Sequence, residues 1–195
     1  MKVCGPMKGV IFMVFLLEEN MNKHTRNLVL SALFMALGLV LPFLTGQIPQ
    51  IGSMLLPMHI PVLLCGFVCG WPWGLAVGFI TPLLRSMLWG MPPIVAAIGM
   101  AFELAAYGCL SGLFYKLLPK KPINVYISLI LAMLGGRVVW GLAQMVILGV
   151  TAEGFTWAAF VAGGFANAIP GIIAQIVLIP ILVLALRKAR LIDHE

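Results

Sequence analysis

Charge is the scarcest property of this chain. Asp and Glu together number 6 and Lys and Arg 12 in 195 residues, so 9% of the side chains are charged, where a soluble domain carries about a quarter. With 62% apolar residues and a mean hydropathy of +1.10, too little polar surface exists to cover a soluble globule. The shortage of acids excludes chemistry as well, because no two carboxylates share an apolar segment for acid–base work. H-E-x-x-H, G-x-S-x-G and the phosphate-cradling G-x-x-x-x-G-K-[ST] are absent, which leaves hydrolysis, including ATP hydrolysis, without a motif here. The 4 cysteines form no C-x-x-C and no His/Cys cluster with metal spacing, so no metal site is expected. Cys65 and Cys69, one helical turn apart, read as small packing groups. The net charge of +6 comes from short basic clusters between apolar runs. That is how membrane topology is set, and it argues against a nucleic-acid partner.

What is present is a series of apolar segments long enough for a bilayer. The pattern predicts an all-α, polytopic integral membrane protein, a compact bundle of six transmembrane helices with a short second helix. The spans are read at about Leu28 to Leu44, His59 to Gly70, Gly74 to Trp89, Ile94 to Leu118, Val125 to Gly149 and Trp157 to Leu186. Residues 1–20 read as an untranslated or disordered leader before one membrane domain at 21–195. Their apolar run, Val10 to Leu17, is too short to span, and Leu17 to Met21 can be encoded by a purine-rich stretch followed by ATG, which marks Met21 as the expected start.

Cations set the orientation. Lys23, His24 and Arg26 precede the first span, Lys116, Lys120 and Lys121 follow the fourth, and Arg187, Lys188 and Arg190 follow the sixth. Both termini are therefore expected on the cytoplasmic side of a bacterial plasma membrane. Trp71-Pro72-Trp73 reads as the turn between spans two and three, and Trp89 to Pro93 as an outer turn. Pro170 and Pro180 are expected to bend the sixth span.

Arg85, Glu103 and Arg137 are ionisable groups inside predicted spans. Each costs about 2.5–3.5 kcal/mol at a helix centre, so each needs a partner or a wet cavity. Gln144 and Asn167 fall at comparable depth, and Trp140 and Tyr107 offer aromatic walls. Glu103 can lock the bundle by pairing with one arginine. The second guanidinium then calls for a ligand carboxylate, with Arg85 and Arg137 as the two jaws of a clamp. His59 is either a ligand contact at the outer mouth or an interfacial cap of the broken second helix, and Met54-Leu55-Leu56 beside it suits a lid. Four-spaced small residues, Ala32 and Ala36, Gly66 and Gly70, Gly74 and Gly78, Gly108 and Gly112, permit close helix approach.

These features together resemble the substrate-binding S component of energy-coupling factor (ECF) transporters, the bacterial vitamin importers, over Met21 to about Arg190. The carriers are the six-helix plan, Ala32-x-x-x-Ala36, the structured loop before a short second helix, and Asn167-Ala168-Ile169-Pro170-Gly171 with Gln175. The resemblance implies as partners a transmembrane scaffold subunit and two cytoplasmic ATPases, with Ala32 and Ala36 docking on the scaffold. It implies no cofactor in this chain, ATP being used by the partner subunits. It also implies that the loop after the first helix and the outer halves of helices four to six hold a vitamin, released inward when the chain topples. Within the family, Met58 to Pro61 and the deep arginines are most similar to members handling acidic substrates, pantothenate first and folate next. The alternative is an autonomous ion-coupled transporter or channel for a small organic anion, with Glu103 the one acid available for proton coupling.

Overall fold

A computed structural model describes residues 22–45, 54–119, 121–150 and 168–188. The proposed leader and the start at Met21 lie outside the described residues, as do Lys120, Asn167 and Arg190. Among the described residues there are six α-helices and one 3-10 turn: α1 Lys23–Val40, the turn Leu41–Thr45, α2 His59–Cys69, α3 Trp71–Trp89, α4 Ile94–Leu117, α5 Pro122–Val150 and α6 Ile169–Lys188. The chain is an all-α membrane protein. Four helical segments, Lys23–Phe43, Ile94–Leu117, Pro122–Ile147 and Ile169–Lys188, are long and apolar enough to cross a bilayer. In α3 the tryptophans, prolines, glycines and Arg85 dilute an otherwise apolar sequence.

α2 is the pillar. Nine of its 11 residues are buried, the pattern of a helix that is apolar all round and surrounded by others. At about 16 Å it covers half of a ~30 Å hydrocarbon layer, so the chain leading into it must descend into the bundle. α1, α3, α4 and α6 pack around it, and α5 closes on α4 and α6.

Glycine sets the spacing of this core. A Cβ at Gly66, Gly74 or Gly108 would strike the backbone of a facing helix, so α2, α3 and α4 meet main chain to main chain. Gly78 faces the Leu104 carbonyl, and Gly112 faces Trp71 and Gly66, in the same way. Gly70 differs from the packing role expected of it. It has φ +92° and is the whole turn between α2 and α3, a conformation that L side chains rarely adopt. Trp71-Pro72-Trp73 is accordingly not the turn but the first residues of α3, where proline's missing N–H breaks no helical bond.

α1 begins at Lys23, ahead of the expected Leu28, because its basic flank is itself helical. It buries Ser31, Phe34 and Gly38, while Leu28, Val29, Ala32, Leu33, Ala36, Leu37 and Val40 face outward. Asn27 donates from Nδ2 to the Cys69 carbonyl at 3.4 Å, and the His24 and Trp73 rings sit 5.2 Å apart. These contacts gather the start of α1, the end of α2 and the start of α3 at one end of the bundle. The sixth span is shorter than expected where described. α6 starts at Ile169, so Pro170 occupies its second position and is no kink, whereas Pro180 does lie inside the helix. The part of the expected span before Ala168 lies outside the described residues.

Candidate functional site

Glu103 lies nine residues, about 14 Å, into α4, on the buried face. Its Oε1 accepts a hydrogen bond from Arg137 Nη1 of α5 at 2.8 Å, an ion pair with both side chains at least 95% buried. The same oxygen is 3.4 Å from Nε2 of His59, the first residue of α2. One turn along α4, Tyr107 meets His59 edge-on, with ring centroids 5.1 Å apart. Gly136 makes room for that ring, because a Cβ there would come within 2.7 Å of it. Three helices thus place an acid, a base, a guanidinium and a phenol in one buried cluster.

His59 is therefore not an interfacial cap: it is 1% exposed and makes no side-chain cap hydrogen bond at the N-terminus of α2 among the described residues. The reason is the shortness of α2, which puts its first residue at the depth of Glu103. The turn before it is tight, with the His59 N–H bonded to the Leu56 carbonyl at 3.1 Å and Leu56 at φ +50°. Leu56 is buried, Met54 and Leu55 are exposed, and a Cβ at Gly171 of α6 would strike the Met54 and Leu55 backbone.

Arg85 is placed elsewhere. It donates from Nη1 to the Leu39 carbonyl at 2.5 Å, near the end of α1, and lies 5.0 Å from the Phe43 ring centroid and 5.7 Å from that of Trp89. Terminal helix carbonyls lack intrahelical donors and carry partial negative charge, and aromatic faces attract a guanidinium. Among the described residues none of its contacts is with Glu103 or Arg137, so the expected second jaw is committed to the α1–α3 corner.

Gln144 reaches α4 at Gly99, one turn before Glu103; a Cβ at Gly99 would be 3.1 Å from its Nε2. Trp140 is half-buried, one turn of α5 from Arg137. Asn167 lies outside the described residues. Ala32 and Ala36 are exposed on the face of α1 turned away from the bundle.

A partly open, apolar groove of about 140 Å³ lies between α5 and α6 beside the cluster, lined by Tyr107, Arg137, Ile130, Met133, Leu134, Ile172 and Ile176, of which Ile130 and Leu134 are exposed on the outer face. Among the described residues several buried polar atoms of the cluster make no hydrogen bond: Arg137 Nε and Nη2, His59 Nδ1 and the Tyr107 hydroxyl, while His59 Nε2 has only its 3.4 Å approach to Glu103. Both amide atoms of Gln175 share this condition, and Gln175 is fully buried on α6 between groove-lining Ile172 and Ile176. Each such group costs about 1–3 kcal/mol when left without a partner. In the sequence Gln175 stands among the residues that carry the family resemblance and not among the candidate ligand contacts. Its signal was a lone carboxamide in an apolar helix. The aliphatic lining residues carried no signal, being indistinguishable from core.

Fold and geometry together define a small helical membrane protein with a buried, ion-paired polar cluster. The chain belongs to the family of ECF transporter substrate-specific components, whose family model matches residues 26–183. It is thus a transport subunit and not an enzyme, in a family that associates with ECF membrane and ATPase modules. No curated protein and no solved structure matches the chain.

Proposed function

We propose that this chain is the high-affinity binding subunit of an ECF importer for a water-soluble vitamin or precursor that bears a carboxylate, pantothenate first and folate next. The observation that carries the reading is Arg137, buried in the cluster and paired to Glu103 through one nitrogen while, among the described residues, two further nitrogens make no hydrogen bond. Buried guanidinium donors are best satisfied by a carboxylate, which accepts two parallel bonds. Gln175, Tyr107, His59, Trp140, Gln144 and Asn167 complete the proposed site, and Met54 to Leu56 cover it. Arg85 contributes by holding the end of α1, from which the covering segment departs. Glu103 is engaged by Arg137 in a buried ion pair, and the family match favours a partner motor over ion coupling.

The energy then comes from ATP hydrolysis on two cytoplasmic subunits, passed through a transmembrane scaffold that docks on Ala32 and Ala36, with the chain toppling to release its ligand. Both termini face the cytoplasm of a bacterial cell, following the basic flanks of α1, α4 and α6. Reconstitution tests this directly. In vesicles the purified chain should bind pantothenate yet accumulate none, and uptake should require the scaffold, both ATPases and ATP. Gradient-driven accumulation by the chain alone would overturn the reading.

A further inference from the structure

The chain's cations gather at one end of the bundle. Gly112, near the end of α4, abuts Trp71 at the start of α3, and Phe67 of α2 meets Tyr115 of α4 with ring centroids 5.3 Å apart. The start of α1 joins them through His24 and Asn27, and Arg187 in the last turn of α6 lies within electrostatic reach of Tyr115. Lys121 stands in the α4–α5 turn, where its N–H bonds the Pro119 carbonyl at 2.7 Å and its carbonyl accepts the Asn124 N–H at 3.0 Å. Lys23, Arg26, Lys116, Lys121, Arg187 and Lys188 thus share this end, and Glu103, the one acid among the described residues, is not there. Leu117 and Ile123, beside Lys116 and Lys121, are 70% and 61% exposed. Positive charge edged by bare hydrocarbon suits the boundary between lipid headgroups and acyl chains better than a water-facing protein surface.

Two of these helices carry the pattern inward. On α5 the face holding Ile123 continues through Ile130 and Leu134, because helical residues seven or eleven apart fall within about 20° of each other. On α6 the same rule aligns Ile176 with Arg187. The groove between α5 and α6 is walled mainly by Ile130, Met133, Leu134, Ile172 and Ile176, and it is open on the outer side, where Ile130 and Leu134 are exposed. Its aliphatic walls offer a water molecule nothing to bond. It lies about 10–17 Å inward of Ile123 and Arg187, comparable with the ~15 Å hydrocarbon depth of one leaflet. At about 140 Å³, against the ~150 Å³ that holds benzene, it accommodates about six chain carbons.

We propose that one anionic phospholipid of the surrounding leaflet is a specific ligand of this face, its phosphate on Lys121 and Arg187 and one acyl chain running past Ile123 into the α5–α6 groove. Lys188 adds charge from the last turn of α6. Because the groove is already open toward the bilayer, the chain enters sideways and no helix has to move. The cations select the headgroup and the groove selects the chain. Neither involves the Glu103–Arg137 pair, so the site is independent of what the protein imports.

The test is native mass spectrometry of the purified full chain, titrated with dioleoyl phosphatidylglycerol, dioleoyl phosphatidylcholine and dihexanoyl phosphatidylglycerol, so that head charge and chain length vary separately. Dioleoyl phosphatidylglycerol should bind at least about tenfold more tightly than either of the others. Lys121→Gln combined with Arg187→Gln should erase its advantage over phosphatidylcholine. Ile130→Trp puts a bulky ring into the groove from its exposed side, and should erase the advantage over the short-chain lipid. Equal binding of the two headgroups, or of the two chain lengths, in the unaltered chain overturns the proposal whether or not the variants fold. A preference that survives its substitution in folded protein overturns it too. Shielding of Lys121 from amine-reactive labelling by the partner subunits, but not by vesicles of dioleoyl phosphatidylglycerol, would assign this end to an acidic protein face and likewise overturn the lipid site.

Discussion

Glu103 is the one carboxylate in the described part of the buried cluster, and it serves Arg137 at 2.8 Å and His59 at 3.4 Å through a single oxygen. Removing its charge while keeping its size leaves the Arg137 guanidinium buried without a counter-ion. Glu103→Gln is therefore expected to destabilise the protein by about 3–5 kcal/mol, seen as a clear fall in the thermal unfolding midpoint in detergent. An unchanged midpoint would mean that the pair does not hold α4 to α5. Sequence alone made Glu103, Arg85 and Arg137 conspicuous, because each is expensive in an apolar helix. It did not say which arginine Glu103 meets, since that depends on how α3 and α5 are rotated and on the competing carbonyl of Leu39. The depth of His59 was illegible for a related reason: it follows from where short α2 sits, not from its own neighbours.

Helices α2, α3 and α4 are joined by glycines that leave no space for a side chain. Gly108→Ala pushes a methyl group onto the Gly74 carbonyl, and because backbone cannot swing aside the expected cost is about 1–3 kcal/mol or more. Gly99→Ala is the internal control. Its added carbon meets the end of the Gln144 side chain at 3.1 Å, which can yield, so its cost should stay below about 1.5 kcal/mol. Thermal unfolding of the two variants side by side checks this, and equal effects would contradict the backbone seam. The four-residue spacing was legible as close packing. Gly70 was not, because a positive φ at a one-residue turn leaves no periodic trace and its spacing from Gly66 imitated the packing motif.

At the level of the whole molecule, α1 has two faces with different duties. Ser31, Phe34 and Gly38 turn inward, while Ala32 and Ala36 are exposed among Leu28, Leu33 and Leu37. A bulky residue on that outer face leaves the binding cluster untouched, so Ala32→Trp and Ala36→Trp should retain vitamin binding in the isolated chain while abolishing uptake with the partner subunits. Loss of binding would place the stripe inside the fold's own packing. Normal uptake would move the docking surface elsewhere.

Hydropathy, turn residues and basic flanks are local properties, and from them the sequence by itself determined a helical membrane bundle, its approximate spans and the few buried groups able to do chemistry. Tertiary structure alone decided which of those groups meet. Glycine contacts set the height of α2, that height carries His59 down to Glu103, the end of α1 captures Arg85, and Arg137 is left as the ion-pair partner of Glu103. None of these outcomes is encoded within one segment, because each is fixed by the rotation and depth of one helix against another.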